Sequence, residues 1–149
     1  MKFILSSELG RLAKWLKILD YDSYCFKGSN TALISRAIKE SRTVLSSRSS
    51  VYFNPKVNIF IVKSQNLKAQ LKELRNNFSL EVDSAKMFLR CIKCNIEFKV
   101  LSREEARGKI PQGVYNSGLA IYKCPKCKKL YWYGSHKELA KRYLKLFSG

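Results

Sequence analysis

Two C-x-x-C pairs constrain this 149-residue chain more than any other feature. Arg90-Cys91-Ile92-Lys93-Cys94 supplies the first and Tyr122-Lys123-Cys124-Pro125-Lys126-Cys127 the second, with 29 residues between them. A C-x-x-C turn can aim two thiolates at one ion, and two such turns complete the closed tetrahedral shell of structural zinc, with Zn–S about 2.3 Å. The spacing therefore predicts a zinc ribbon in which Cys91, Cys94, Cys124 and Cys127 hold one structural Zn2+. The alternative is four reduced cysteines without a metal. A four-thiolate shell has no position for water, so the ion would not be catalytic. Redox use is disfavoured because neither pair lies between a strand and a helix of an α/β unit. The fifth cysteine, Cys25, stands inside the apolar Tyr24-Cys25-Phe26 and reads as a small buried residue.

Charge decides the class of partner. Lys and Arg total 29 against 11 acids, a formal net charge of +18, on a chain that is 46% hydrophobic and so able to fold. Such an excess on a folded surface favours a polyanion, because each phosphate neutralised releases condensed counterions. No apolar run approaches the roughly 20 residues of a membrane-spanning helix, and Phe3 to Leu5 is far too short for a signal peptide. The expected setting is cytoplasmic, with no membrane partner and no small-molecule substrate. From Lys86 onward there are 15 basic residues and 4 acids in 64 residues, against 14 and 7 in the first 85. The predicted division is accordingly an α/β domain over 1–85 and a ribbon with a C-terminal helix over 86–149.

The first part alternates strands and helices. Residues 2 to 5 form a short apolar run, followed by Leu9, Leu12, Leu16 and Leu19 at helical spacing, with Ser6 or Ser7 expected to cap that helix. Tyr24 to Phe26, Thr43 to Ser46 and Val57 to Val62 read as further strands. Helices are expected after Asn30 or Thr31, and from about Leu67 to Arg75. Strands and helices at these intervals predict an α/β fold with a mainly parallel sheet and helices on both faces. Functional groups in such sheets gather beyond the carboxyl ends of the strands, here Ser6 to Glu8, Lys27 to Asn30 and Ser46 to Ser50.

Candidate contacts to RNA follow from charge interleaved with aromatics. Lys123, Lys126, Lys128 and Lys129 lead into Tyr131 and Trp132, where lysines can meet phosphates and rings can stack on unpaired bases. Packing of the rings within the protein is the competing role. Arg11, Lys14, Lys17 and Arg48 surround the first strand ends, and Lys141 and Arg142 lie near the C-terminus. His136, the one histidine, reads as a structural or helix-start residue rather than a catalyst.

With these motifs in place, the chain resembles the Mut-seven C-terminal ribonuclease-like family, a PIN-like domain joined to a zinc ribbon. The resemblance runs through Phe3-Ile4-Leu5-Ser6-Ser7-Glu8-Leu9-Gly10-Arg11-Leu12-Ala13-Lys14-Trp15-Leu16-Lys17-Ile18-Leu19-Asp20-Tyr21-Asp22, through Arg90 to Asn95, and through Tyr122 to His136. It implies a nuclease whose carboxylates hold divalent cations that activate water and neutralise the phosphate being cut. Here the first of those acids falls on Ser6, the second on Asn30, and the motif after the third strand reads Leu45-Ser46-Ser47-Arg48, or Ser47-Arg48-Ser49 with a slip of one. Only Glu8 remains nearby. The expectation is a degenerate, catalytically inactive member that binds RNA, ribosomal RNA beside ribosomal proteins being the first choice. The alternatives are an active ribonuclease using a relocated metal site or Glu8 with His136, and a protein-binding adaptor in an RNA-processing complex.

Overall fold

The computed structural model describes residues 1–145. Its first half is built on a four-stranded parallel sheet of β1 (Lys2–Ser6), β2 (Asp22–Phe26), β3 (Thr43–Ser46) and β4 (Ile59–Ile61), in the order β2-β1-β3-β4. Alternation along the strands divides the core. Phe3, Leu5 and Leu45 face one side, with α1 (Gly10–Ile18) and α3 (Leu67–Phe78); Ile4 and Val44 face the other, with α2 (Asn30–Glu40). The sheet is therefore apolar on both faces, as a parallel sheet between helices requires.

Helix boundaries differ from the sequence expectation in instructive ways. Neither Ser6 nor Ser7 caps α1, which begins at Gly10 after a 3-10 turn over Ser7–Leu9 and has no side-chain cap. The cap of α2 is Ser29, whose hydroxyl accepts from the Ala32 N–H at 3.2 Å, while Asn30 is already helical. Helix α3 runs three residues beyond Arg75, and the fourth strand occupies only the middle of the VNIFIV run.

The second part carries an antiparallel sheet of β5 (Lys99–Leu101), β6 (Ile121–Lys123) and β7 (Leu130–Tyr131), the short helices α4 (Arg103–Ala106) and α5 (Gln112–Asn116), and α6 (Ser135–Lys145). It shares a core with the first part. Met87, Phe88, Ala140 and Leu144 pack in the same cluster as Phe3, Leu12 and Leu16, and the Trp15 ring lies 4.6 Å from that of Tyr143. Polar contacts tie the first cysteine turn to the sheet. Lys17 Nζ donates to the Ile92 carbonyl at 2.7 Å, and the Asn95 amide bridges the Ser23 N–H at 3.1 Å and the Asp22 carboxylate at 2.7 Å.

Candidate nucleic-acid interface and metal centre

Strand order places a reversal between β1 and β3, since the chain leaves β1 toward β2 on one side and returns through β3 to β4 on the other. The crevice beyond the carboxyl ends of these two strands is where a parallel α/β sheet presents ligands. Ser6 ends β1 and Ser46 ends β3; both are buried, and their hydroxyls are 2.8 Å apart. Over this pair sits the Glu8 carboxylate. Its Oε1 accepts from the Ser6 hydroxyl, from the Ser46 hydroxyl at 3.3 Å, and from the Ser47 N–H and hydroxyl at 3.1 and 3.0 Å. Its Oε2 pairs with Arg48 Nη2 at 3.0 Å, and that guanidinium also donates to Ser7 Oγ.

A carboxylate offers about four lone-pair sites in all. Four donors crowd the Oε1 of Glu8, beyond its two lone pairs, and Arg48 takes one side of Oε2. Burial alone would raise its pKa, but the hydrogen bonds from Ser6, its own N–H and Ser47 outweigh that and bring it down to about 2. A group so acidic is a poor proton acceptor near neutrality, where a general base works best with a pKa close to the ambient pH. The other position expected at this edge, Asn30, donates to the Ser50 carbonyl and hydroxyl at 3.1 and 3.2 Å. Glu73 reaches the loop after β4, a placement that sequence spacing did not suggest, and its two oxygens accept the N–H groups of Lys63 and Ser64.

The four cysteines converge. One Sγ from each of Cys91, Cys94, Cys124 and Cys127 lies within 4.8 Å of the others, and among the described residues this is the one group of three or more His, Cys, Asp or Glu side chains that could hold a metal. The two turns repeat one geometry. The residue after each pair, Asn95 and Lys128, adopts φ of +60° and +62° and returns its N–H to the carbonyl of the first cysteine, at 2.7 and 3.0 Å. Within each pair the second cysteine's N–H points at the first sulfur, at 3.4 and 3.5 Å. Cys91 and Cys124 are fully buried. Burial opposes ionisation of Cys91, but hydrogen bonds from Tyr131 and from the Cys94 N–H prevail and bring its thiol down to about 7. Four close sulfurs held by N–H donors are a fit for a thiophilic cation, which removes the repulsion between thiolates.

A family model described as the Mut7-C RNAse domain matches residues 1–144. The chain belongs to the Mut7-C family. No curated protein and no solved structure matches it.

The cations named from sequence fall into two groups in this Mut7-C chain. Arg11, Lys14, Lys126, Lys128, Lys129 and Arg142 are exposed, Lys123 is half-buried, and Lys141 is half-buried and paired with Glu138 at 3.0 Å. Lys17 differs: it is 9% exposed and spends its ammonium on the Ile92 carbonyl, so it joins the two parts of the protein instead of facing solvent. Tyr131 is also committed inward, its ring 4.8 Å from Phe98 and stacked 6.2 Å from Tyr133, its hydroxyl 3.5 Å from Cys91 Sγ. Trp132 instead lines an open cleft of about 300 Å³ with His136, which lies in the first turn of α6.

Acids cluster at the opposite edge of the sheet. Asp20, Asp22, Glu81, Asp83 and Glu97, five of the 11 in the chain, line a single groove at the amino ends of β1 and β2. The carboxyl edge of the Mut7-C sheet carries serines, Arg48 and two carboxylates that are both engaged, Glu8 over β1 and β3 and Glu73 on the loop after β4. No helix among the described residues is long and apolar enough to cross a membrane.

Proposed function

We propose that this chain is a non-catalytic RNA-binding protein built on a Mut7-C nuclease scaffold, with one structural Zn2+ in its four-cysteine centre. The observation that carries this reading is the state of Glu8. In the single carboxylate over Ser6 and Ser46, Oε1 is saturated by serine donors and Oε2 is paired with Arg48. A divalent cation would have to displace these partners and would find one anionic oxygen ligand where a hydrolytic site needs several. Clustering of five acids at the opposite edge, with both carboxylates at this one already engaged, supports phosphate contact here.

The RNA is proposed to be ribosomal, with neighbouring ribosomal proteins as further partners and the cytoplasm as the compartment. Charge dispersed over both parts of a small zinc-ribbon protein suits stable contact with many phosphates of a structured RNA. Sedimentation of cell extract through sucrose gradients at low and moderate salt tests this. Co-migration with a ribosomal subunit that survives moderate salt is expected; a light, free fraction overturns the ribosomal assignment.

The family itself favours a second reading, an active ribonuclease. Purified protein incubated with labelled RNA in Mg2+ or Mn2+ separates the two. Cleavage that disappears in Glu8→Gln overturns the non-catalytic function. Absence of RNA binding even at low salt overturns both and leaves a protein-binding adaptor.

A further inference from the structure

The loop between β3 and β4 presents two rings that none of the described residues covers. Phe53 is 89% and Tyr52 76% exposed, the highest values among the large apolar side chains described. Neither makes a ring or cation contact among the described residues. The loop beneath them is nonetheless anchored. Val51 is buried with Ile4, Leu33, Ala37 and Val44, and its N–H returns to the Arg48 carbonyl at 3.3 Å. Asn30 holds Ser50 from the start of α2. Beyond the rings, Asn54 closes a turn by accepting from the Lys56 N–H at 2.9 Å and, through its carbonyl, from Val57 at 3.2 Å. Fixed chain on both sides holds two adjacent rings in water.

One exposed aromatic is ordinary; two neighbours on an anchored loop beside a ligand crevice imply a partner. The surroundings say which. The loop over 47–58 contains no Asp or Glu and carries Arg48 and Lys56. Beside the rings in the chain, Val51 is turned into the core and Pro55 is exposed, while Ser49, Ser50, Asn54 and Lys56 are polar, so the loop offers little of the aliphatic surface that forms the dry centre of a protein interface. Flat rings set among cations match alternating bases and phosphates.

We propose that Tyr52 and Phe53 are a stacking platform for unpaired bases of single-stranded RNA, whose backbone runs toward Arg48 and Lys56. This rests on the RNA-binding function proposed above and extends it to strand type and location.

The test measures binding of a fluorescein-labelled single strand of about 12 nucleotides, and of a duplex of equal length, to the full chain. Tyr52→Ala and Phe53→Ala are each expected to weaken single-strand binding about tenfold, and the double variant about 100-fold. Duplex binding should not change, nor should the slope of log affinity against log salt, because every phosphate-binding cation is retained. Tyr52→Phe and Phe53→Tyr should bind like the unaltered chain. An unchanged thermal midpoint establishes that the variants are folded. If the double variant binds single strands as tightly as the unaltered chain, or loses duplex binding equally, the platform is overturned and RNA binding stands. If the unaltered chain binds neither probe at low salt, the proposed function falls as well.

Discussion

The Arg48 guanidinium lies 3.0 Å from the Glu8 carboxylate, across the gap between the ends of β1 and β3. This pair gives the crevice a balanced, occupied centre. It also makes Glu8 a reporter of the fold, since its donors come from two segments about 40 residues apart: Ser6 at the end of β1, and Ser46 to Arg48 at the end of β3 and just beyond.

Acid should unfold the protein partly through Glu8. Its folded pKa of about 2 is below the ordinary 4.5, so its stabilising contribution is complete above about 4.5 and is lost as pH falls toward about 2. Allowing for solvent screening of a partly exposed group, that contribution is about 1–2 kcal/mol. Denaturant melts of Glu8→Gln should show a loss of this size at pH 7 and a flatter stability profile between about pH 5 and about 2. An unaltered profile would show that the hydrogen bonds do not hold the charged form.

Lys17 and its neighbours on α1 should separate under mutation. Lys17→Met removes the donor to the Ile92 carbonyl and is expected to cost about 1–3 kcal/mol in urea melts, with little change in RNA affinity. Arg11→Ala and Lys14→Ala should leave stability within about 0.5 kcal/mol and reduce the salt slope of RNA binding by about 0.7 to 0.9 for each phosphate no longer neutralised. Loss of RNA affinity in folded Lys17→Met alone would return that residue to the interface.

Asn95 has two separable roles. Its φ of +60° suits Asn or Gly, and its amide joins Ser23 to Asp22. Asn95→Gly keeps the turn and loses the bridge, for about 1–3 kcal/mol. Asn95→Ala loses both and should be less stable than Asn95→Gly by about 1 kcal/mol. Equal stabilities of the two variants in thermal melts would show that the turn tolerates a side chain without strain.

Removal of the metal should affect more than the ribbon. Elemental analysis should find one Zn2+ per chain, and Cys124→Ser or chelation should reduce it. Hydrogen exchange should then quicken in the ribbon and also around Lys17 to Ser23, because Ile92 and Asn95 lie within or directly after the first cysteine turn. Faster exchange confined to residues beyond 86 would mean that the two parts are not mechanically linked through that turn.

Chemistry that depends on spacing is legible in the chain itself. Two C-x-x-C pairs converge because each turn is local, and Phe3 to Leu5, Leu12 and Leu16 are buried because alternation and helical period sort side chains by face. That Ser6, Asn30 and Arg48 stand at or just beyond strand and helix ends is legible for the same reason, since position along a motif is a property of the chain.

Tertiary structure decided what those side chains do. Ser6 has the composition and place of a helix cap, yet its hydroxyl turns to Glu8 and Ser46, a partner 40 residues away that only strand pairing brings near. Lys17 reads as another surface cation on a basic helix, and docking of the ribbon buries it against Ile92. The Tyr52 and Phe53 rings follow no period, so no pattern marks them; their exposure depends on Val51 being held in the core beneath. Local sequence sets which groups are available and which way each element faces, whereas a hydrogen-bond partner or a covered face depends on segments distant in the chain, and those are set by packing.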